Sequence, residues 1–139
     1  MKTSYTILYV DDDLDDLMLI TDAFQKYTPN IEITHAHNGL EGLATLERMH
    51  KNGEEPCLVI VDINMPGMDG KEMLQEMRRQ VQFQHLPVVL FSTSNLKEDQ
   101  LHAQGLGADF ITKPVSFSNL QSLVKAFIGK CKFEVAGRA

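Results

Sequence analysis

The stretch Leu58-Val59-Ile60-Val61-Asp62-Ile63-Asn64-Met65-Pro66-Gly67 decides the fold. Its first four residues are all apolar, which is typical of a strand covered on both faces, as in a parallel sheet flanked by helices. Asp62 ends this strand abruptly, and the pair Pro66-Gly67 predicts a turn soon afterwards. A second run of the same kind, Val88–Phe91, is also followed by polar residues. We therefore expect a parallel sheet whose buried strands end in polar side chains.

Strand and helix patterns alternate five times along the chain. The predicted strands are Thr6–Val10, Ile31–Ala36, Leu58–Val61, Val88–Phe91 and Phe110–Thr112. A helical pattern follows each strand, and the residues predicted to begin or cap these helices are Asp13, Asn38, Asp69, Asn95 (with Glu98 as a capping box) and Ser116. The alternation predicts one α/β domain with a parallel sheet.

Length and composition bound the class of protein. The 139 residues suit one domain, and 13 basic against 19 acidic side chains give a formal charge of −6, which argues against binding to nucleic acid or to an anionic membrane. No apolar run approaches the roughly 20 residues of a membrane span, and the acids from Asp11 onward leave no room for an export signal. Cys57 and Cys131 lie far apart in sequence, so we expect reduced thiols in the cytoplasm.

Polar side chains follow four of the five predicted strands. They are Asp11-Asp12-Asp13 after the first strand, Asp62 after the third, Ser92-Thr93 after the fourth and Lys113-Pro114 after the fifth. Parallel strands end at one edge of the sheet, so these groups should converge there. Two carboxylates about 4 Å apart repel by about 4 kcal/mol at an effective dielectric constant near 20, which favours binding of a hard divalent cation such as Mg²⁺. A carboxylate nucleophile, a cation, a hydroxyl and an ammonium group together suggest phosphoryl transfer, with Asp62 as the nucleophile.

Four motifs in this order resemble the receiver domain of two-component response regulators. They are Val10-Asp11-Asp12, the stretch from Asp62 to Gly70, Leu90-Phe91-Ser92-Thr93, and the stretch from Gly107 to Pro114. The resemblance covers about Tyr5–Ile128 and implies a flavodoxin-like, doubly wound sheet of five parallel strands in the order 2-1-3-4-5. It implies a receiver domain over residues 1–131, a tail over residues 132–139 and no output domain.

The resemblance also implies roles for individual residues. Asp62 would be the phosphoacceptor, with Ser92 and Lys113 beside it. Asp11 and Asp12 would form the acidic pocket, and the ligands of Mg²⁺ (or of Mn²⁺) would be Asp12, Asp62 and the main-chain carbonyl of Asn64. Ser92 and Phe110 would be the switch pair, Thr93 would narrow access to Asp62, and the Lys113–Pro114 peptide bond is expected to be cis.

The implied protein is a cytoplasmic single-domain regulator and not a conventional enzyme. Its phosphoryl donor would be a sensor histidine kinase or a phosphotransfer protein, and its output would be a surface change over residues 96–128 that a downstream protein reads. Two alternatives stay open. Asp11-Asp12-Asp13 also resembles the start of a haloacid-dehalogenase-like phosphatase, in which Asp11 would be the nucleophile. A degenerate receiver that serves only as a binding module is the second alternative.

Overall fold

Five parallel strands form one sheet in the order β2-β1-β3-β4-β5, as predicted. The computed structural model describes residues 5–133, so most of the expected tail lies outside the described residues. The strands are β1 (Tyr5–Val10), β2 (Ile31–Ala36), β3 (Leu58–Val61), β4 (Val88–Ser92) and β5 (Asp109–Thr112). The helices are α1 (Leu14–Tyr27), α2 (Gly39–Lys51), α3 (Gly70–Arg79), α4 (Lys97–Gly105) and α5 (Leu120–Ile128). None of the helices in this part of the chain has the length and apolar character that a bilayer crossing requires.

Two apolar cores sandwich the sheet, because successive strand residues point to opposite faces. On one face, the even-numbered residues of β1 and the odd-numbered residues of β3 pack against α2, α3 and α4. On the other face, the alternate strand residues pack against α1 and α5, where the rings of Phe91 and Phe127 meet edge to face with centroids 5.1 Å apart. The helices therefore cover both faces, which confirms the doubly wound architecture.

Three of the five predicted helix starts are confirmed. The carboxylate of Asp13 accepts hydrogen bonds from two backbone N–H groups of α1, Asn38 accepts one from α2, and Asp69 forms a capping box with Glu72 at the start of α3. These caps are local interactions between residues two or three positions apart, so the sequence alone predicts them.

The other two predicted helix starts are wrong. Helix α4 begins after Leu96 without a side-chain cap, so Asn95 does not form the expected capping box. Helix α5 begins after Asn119, whose side chain accepts from the N–H of Ser122, and Ser116 lies outside the helix. In both places several polar residues compete for the cap, and packing of the helix against the sheet decides between them.

Two further expectations need correction. The described residues contain no cis peptide bond, so the Lys113–Pro114 bond is trans, the isomer that most bonds before proline adopt. Cys57 and Cys131 are paired in a disulfide with Cα atoms 4.8 Å apart, where reduced thiols were expected. The physical reason is topological: a helix that returns across a parallel sheet ends at the edge where the strands begin, so the end of α5 reaches the residue before β3.

Candidate functional site

Four of the polar residues predicted to converge at the carboxyl edge of the sheet do so: Asp11, Asp12, Asp62 and Lys113. Asp11 follows β1 and is completely buried, and Asp62 follows β3 with 7% of its surface exposed. Lys113 follows β5 and is 8% exposed, while Ser92 ends β4 and is completely buried. Charged groups are rarely buried to this extent unless they are paired. These residues therefore form a buried polar site and not a solvated surface.

The ammonium group of Lys113 lies between three carboxylates. Its Nζ is 2.9 Å from Oδ2 of Asp11, 2.7 Å from Oδ2 of Asp16 and 3.3 Å from Oδ2 of Asp62. Burial acts to lower the pKa of Lys113, but its hydrogen bonds to Asp16 and Asp11 outweigh burial and raise that pKa. Lys113 therefore stays protonated, yet one positive charge faces three acids. The site keeps an excess of negative charge.

Asp11 is held by donors on both of its oxygens. Tyr9, completely buried in β1, donates its hydroxyl to Oδ2 of Asp11 at 2.9 Å, and the backbone N–H of Asp13 donates to Oδ1 at 3.0 Å. Burial and the charge of Asp11 raise the pKa of Tyr9, so this hydroxyl stays a donor. The sequence analysis missed Tyr9, although a residue two positions before Asp11 in a strand points to the same side.

Asp62 is the carboxylate of this site whose pKa is shifted from its ordinary value. Burial, followed by the charge of Asp11, raises its pKa to about 6, and Lys113 only partly opposes this shift. Oxygen atoms of Asp11, Asp12 and Asp62 all lie within 4.8 Å of one another. Such a set of closely spaced carboxylates fits a hard divalent cation. A bound cation would favour the ionised form of Asp62. Asp12 is exposed, so this oxygen cluster opens to solvent.

The remaining predicted residues differ in how deeply they are buried. The Oγ of Ser92 accepts a hydrogen bond from the N–H of Ser94 at 3.4 Å. Phe110 is half-buried and lies on the same sheet face as Ser92, because it is in register with Leu90, two residues before Ser92. The other three predicted residues, Asn64, Thr93 and Pro114, are exposed.

A partly buried ion pair that was not predicted from the sequence links α3 to α4 beside the site. Asp99 of α4 is 4% exposed; it accepts from Nζ of Lys71 at 2.8 Å and from the hydroxyl of Ser94. Ser94 in turn lies two residues after the buried hydroxyl of Ser92. No spacing rule brings residues 28 positions apart together, so only the tertiary packing of α3 on α4 shows this contact.

The ion pair predicts a specific loss of stability at low pH. The hydrogen bonds from Lys71 and Ser94 lower the pKa of Asp99. A group whose folded-state pKa is lowered stabilises the fold above its unfolded-state pKa, about 3.9, and loses that contribution as the pH falls through the folded value. Asp99→Asn should therefore lower the free energy of unfolding by about 1 kcal/mol at neutral pH. Urea unfolding at several pH values measures the difference, which should shrink below pH ~4.

The exposed neighbour Glu98 offers a matched control for that measurement. Glu98→Gln should leave the free energy of unfolding nearly unchanged at every pH. A destabilisation by Asp99→Asn that stays constant down to the lowest pH would show that the Asp99 charge is not responsible.

Comparisons with known proteins agree with this geometry. A family model described as "Response regulator receiver domain" matches residues 7–125. The sensor histidine kinase CheAY of Helicobacter pylori is 34% identical over 128 residues, which are 91% of this chain and 15% of that protein. The response regulator Rcp1 of Synechocystis sp. is 28% identical over 122 residues, which are 86% of this chain and 83% of that protein.

Two solved structures show the same fold. The Mn²⁺-bound form of Rcp1 has a TM-score of 0.78 at 27% identity and covers 88% of this chain and 90% of its own. The phosphorylated cyanobacterial phytochrome response regulator RcpA has a TM-score of 0.77 at 31% identity, covering 94% and 93% of the two chains. Together with the acidic cluster and Lys113, these likenesses identify a regulator and not a conventional enzyme. The chain belongs to the response regulator receiver domain family.

Proposed function

We propose that this protein is a response regulator that accepts a phosphoryl group on Asp62. The observation that carries the proposal is the position of the Asp62 carboxylate, which lies at the carboxyl end of a buried strand, 3.3 Å from Nζ of Lys113 and beside two further acids. A phosphorylated structure of the similar regulator RcpA supports the same chemistry here. The receiver domain would comprise residues 1–131, and residues 132–139 would form a tail.

The phosphoryl donor would be a phosphohistidine on a sensor histidine kinase or on a phosphotransfer protein. An Asp62 oxygen attacks phosphorus while the bond between phosphorus and the imidazole nitrogen breaks, and the imidazole leaves. Nζ of Lys113 lies where it can donate to the transferred phosphoryl oxygens. The similarity of this chain to part of CheAY, which is named a sensor histidine kinase, supports signalling of this type. Such signalling, together with the acidic composition, favours a cytoplasmic protein that binds neither nucleic acid nor membrane.

The acidic cluster fits Mg²⁺ or Mn²⁺, and the similar regulator Rcp1 has a solved Mn²⁺-bound form. We infer that Asp12, Asp62 and the main-chain carbonyl of Asn64 hold the ion and that Asp11 shares the acidic pocket. When bound, the ion supplies charge neutralisation for the carboxylates and for the phosphoryl oxygens. Asp11 itself keeps its hydrogen bonds to Tyr9, to Lys113 and to the backbone.

The phosphatase alternative is disfavoured by the same hydrogen bonds. Asp11 would be its nucleophile, but Asp11 is completely buried and both of its oxygens accept from protein donors. The degenerate-receiver alternative conflicts with the intact set of acids and Lys113.

Mapping the modified residue tests the proposal directly. The chain is incubated with acetyl phosphate and Mg²⁺, the aspartyl phosphate is reduced with borohydride, and the labelled residue is located by mass spectrometry. We expect modification at Asp62, and chelation of Mg²⁺ should prevent it. Modification at Asp11 would favour the phosphatase, while the absence of any labelling would favour a binding module.

Removing Asp12 should weaken metal binding without harming the fold. Asp12→Ala deletes one proposed ligand, so the affinity for Mg²⁺ should fall about tenfold or more and labelling of Asp62 should slow. Without metal, the Asp12→Ala variant should be at least as stable as the metal-free wild type, because the substitution relieves repulsion between the carboxylates. Calorimetric titration with Mg²⁺ measures the affinity, and Asp15→Ala, a change at an exposed acid of α1, is the control. Equal affinities of Asp12→Ala and the wild type would contradict the ligand role.

Ser92 is proposed to transmit the signal in concert with Phe110. The buried Ser92 hydroxyl would turn to donate to the phosphoryl group, and the space it leaves would let the half-buried Phe110 move inward on the same sheet face. Phe110 has no hydroxyl, so packing alone governs its position. Thr93, exposed beside Ser92, would narrow access to Asp62, and Pro114 would shape the chain after Lys113.

Ser92→Ala should separate phosphorylation from signalling. Asp62 should still be labelled, because Lys113 and the acidic pocket remain, but most of the change over residues 96–128 should be lost. Hydrogen exchange of those amides, with and without a beryllofluoride phosphate mimic, measures the response. Ser116→Ala, at an exposed serine, is the control. An undiminished response in Ser92→Ala would show that the signal leaves the site by another route.

A further inference from the structure

The only pair of cysteines in the chain meets at the amino edge of the sheet, opposite the acidic site. Cys57 immediately precedes β3, and Cys131 lies three residues beyond the end of α5. The two are 74 positions apart in sequence, yet their Cα atoms lie 4.8 Å apart, within the usual range of about 4.4–6.8 Å for a disulfide. Residues before β3 and after α5 therefore lie close enough for a covalent bridge.

The backbone already holds these two segments together. The N–H of Lys132 donates to the carbonyl of Cys57 at 2.9 Å, and the N–H of Cys57 donates to the carbonyl of Thr6 at 2.8 Å. Cys57 is 4% exposed, and the half-buried Cys131 packs against the same core as α1 and α5. The Lys132–Cys57 hydrogen bond therefore joins the two segments in addition to the bridge between the sulfurs.

We propose that Cys57 and Cys131 form a reversible redox site that ties the end of α5 to the sheet. The oxidant is a low-molecular-weight disulfide such as oxidised glutathione. The Cys131 thiolate, more exposed than Cys57 and flanked in sequence by Lys130 and Lys132, attacks one sulfur of the oxidant and displaces one thiolate. The Cys57 thiolate then attacks the Cys131 sulfur and displaces the second. Two electrons pass to the oxidant, and the two leaving thiolates take up the two protons that the cysteines release. An excess of reduced glutathione reverses the reaction.

Oxidation should change stability without altering the acidic site. The bridge closes a long loop that runs from β3 to α5, and a disulfide that closes a loop of this kind stabilises a fold by about 30- to 1000-fold in the unfolding equilibrium constant. It also opposes local opening at the end of α5. The acidic site at the opposite edge contains neither cysteine.

The experiment compares the full chain in oxidised and in reduced glutathione buffers. Intact mass and alkylation count the thiols, and urea unfolding gives the midpoint. We expect the oxidised chain to be lighter by two hydrogens and resistant to alkylation, with a midpoint about 1–2 M urea higher. Hydrogen exchange of the Cys131 and Lys132 amides should slow on oxidation, whereas that of Asn52 and Gly53, at the end of α2, should change less.

Cys131→Ser provides the matched control, since its midpoint should be the same in both buffers. The wild-type comparison needs no substitution, so it stands even if a variant does not fold. Four outcomes would overturn the proposal: both thiols still react after oxidation, a glutathione adduct persists on Cys131, the oxidised chain is a disulfide-linked dimer, or the two midpoints are equal.

Discussion

Asp62→Asn should lower the rate of phosphorylation by acetyl phosphate by more than about 1000-fold. The amide has nearly the same shape as the carboxylate, but it lacks the anionic oxygen that would attack phosphorus. Because burial and the charge of Asp11 raise the pKa of Asp62, the substitution also removes an unfavourable charge. The metal-free variant should therefore be at least as stable as the wild type at neutral pH. Acid-labile phosphate and the unfolding midpoint are the two measurements.

The matched comparison for Asp62→Asn is a neutralised acid in the same pocket. Asp11→Asn removes one carboxylate but keeps the proposed acceptor, so labelling should persist at Asp62, at a reduced rate. The two variants together distinguish loss of the nucleophile from loss of pocket charge. If Asp62→Asn were phosphorylated at the wild-type rate, Asp62 would not be the acceptor.

Gly70→Ala should destabilise the fold by about 3 kcal/mol, because α3 begins in direct contact with the backbone of Asp62. The N–H of Gly70 donates to the carbonyl of Ile63 at 2.9 Å. A Cβ atom at this position would overlap the carbonyl oxygen of Asp62 and would lie 2.8 Å from its carbonyl carbon. These atoms belong to the backbone, so no side chain can turn away to make room. We expect a lower urea midpoint and slower labelling of the displaced Asp62.

Gly105→Ala is the control for this close approach. Gly105 ends α4, where an added Cβ atom would meet no other group within 4 Å, and its φ is not positive. Its substitution should be neutral or should stabilise the fold by about 0.5 kcal/mol, because the unfolded chain has less conformational freedom with alanine than with glycine. If Gly70→Ala matched Gly105→Ala in stability, the approach of α3 to Asp62 would not be as close as the structure indicates.

Local pattern was enough to predict much of this protein. The bounds of β2 and β3 agree with the prediction. β3 is an unbroken apolar run that ends at Asp62, and β2 is rich in β-branched residues and follows the turn residues Pro29-Asn30. The helix starts at Asp13 and Asp69 were predicted for the same reason, since an N-cap interacts only with residues two or three positions away. The convergence of Asp11 and Asp62 with Lys113 was confirmed as well, and so was the strand order that the resemblance to the receiver family implied.

Contacts that depend on how a helix packs against its neighbours were beyond the sequence. The third partner of Lys113, Asp16, was not predicted, and neither was the pairing of Asp99 with Lys71. The start of α5 was also misplaced, because several polar residues precede the helix and its packing selects Asn119.

The order of the strands was implied by the resemblance to the receiver family and is confirmed by the structure. The sequence by itself determined the fold class and the edge at which Asp62 and Lys113 meet. It could do so because residue periodicity, turn chemistry and the direction of parallel strands are properties of neighbouring residues. Only the tertiary structure decided that Asp16 joins the site and that Cys57 meets Cys131. Those contacts depend on the length of each helix and on its position against the sheet. The close packing of the two apolar cores fixes both.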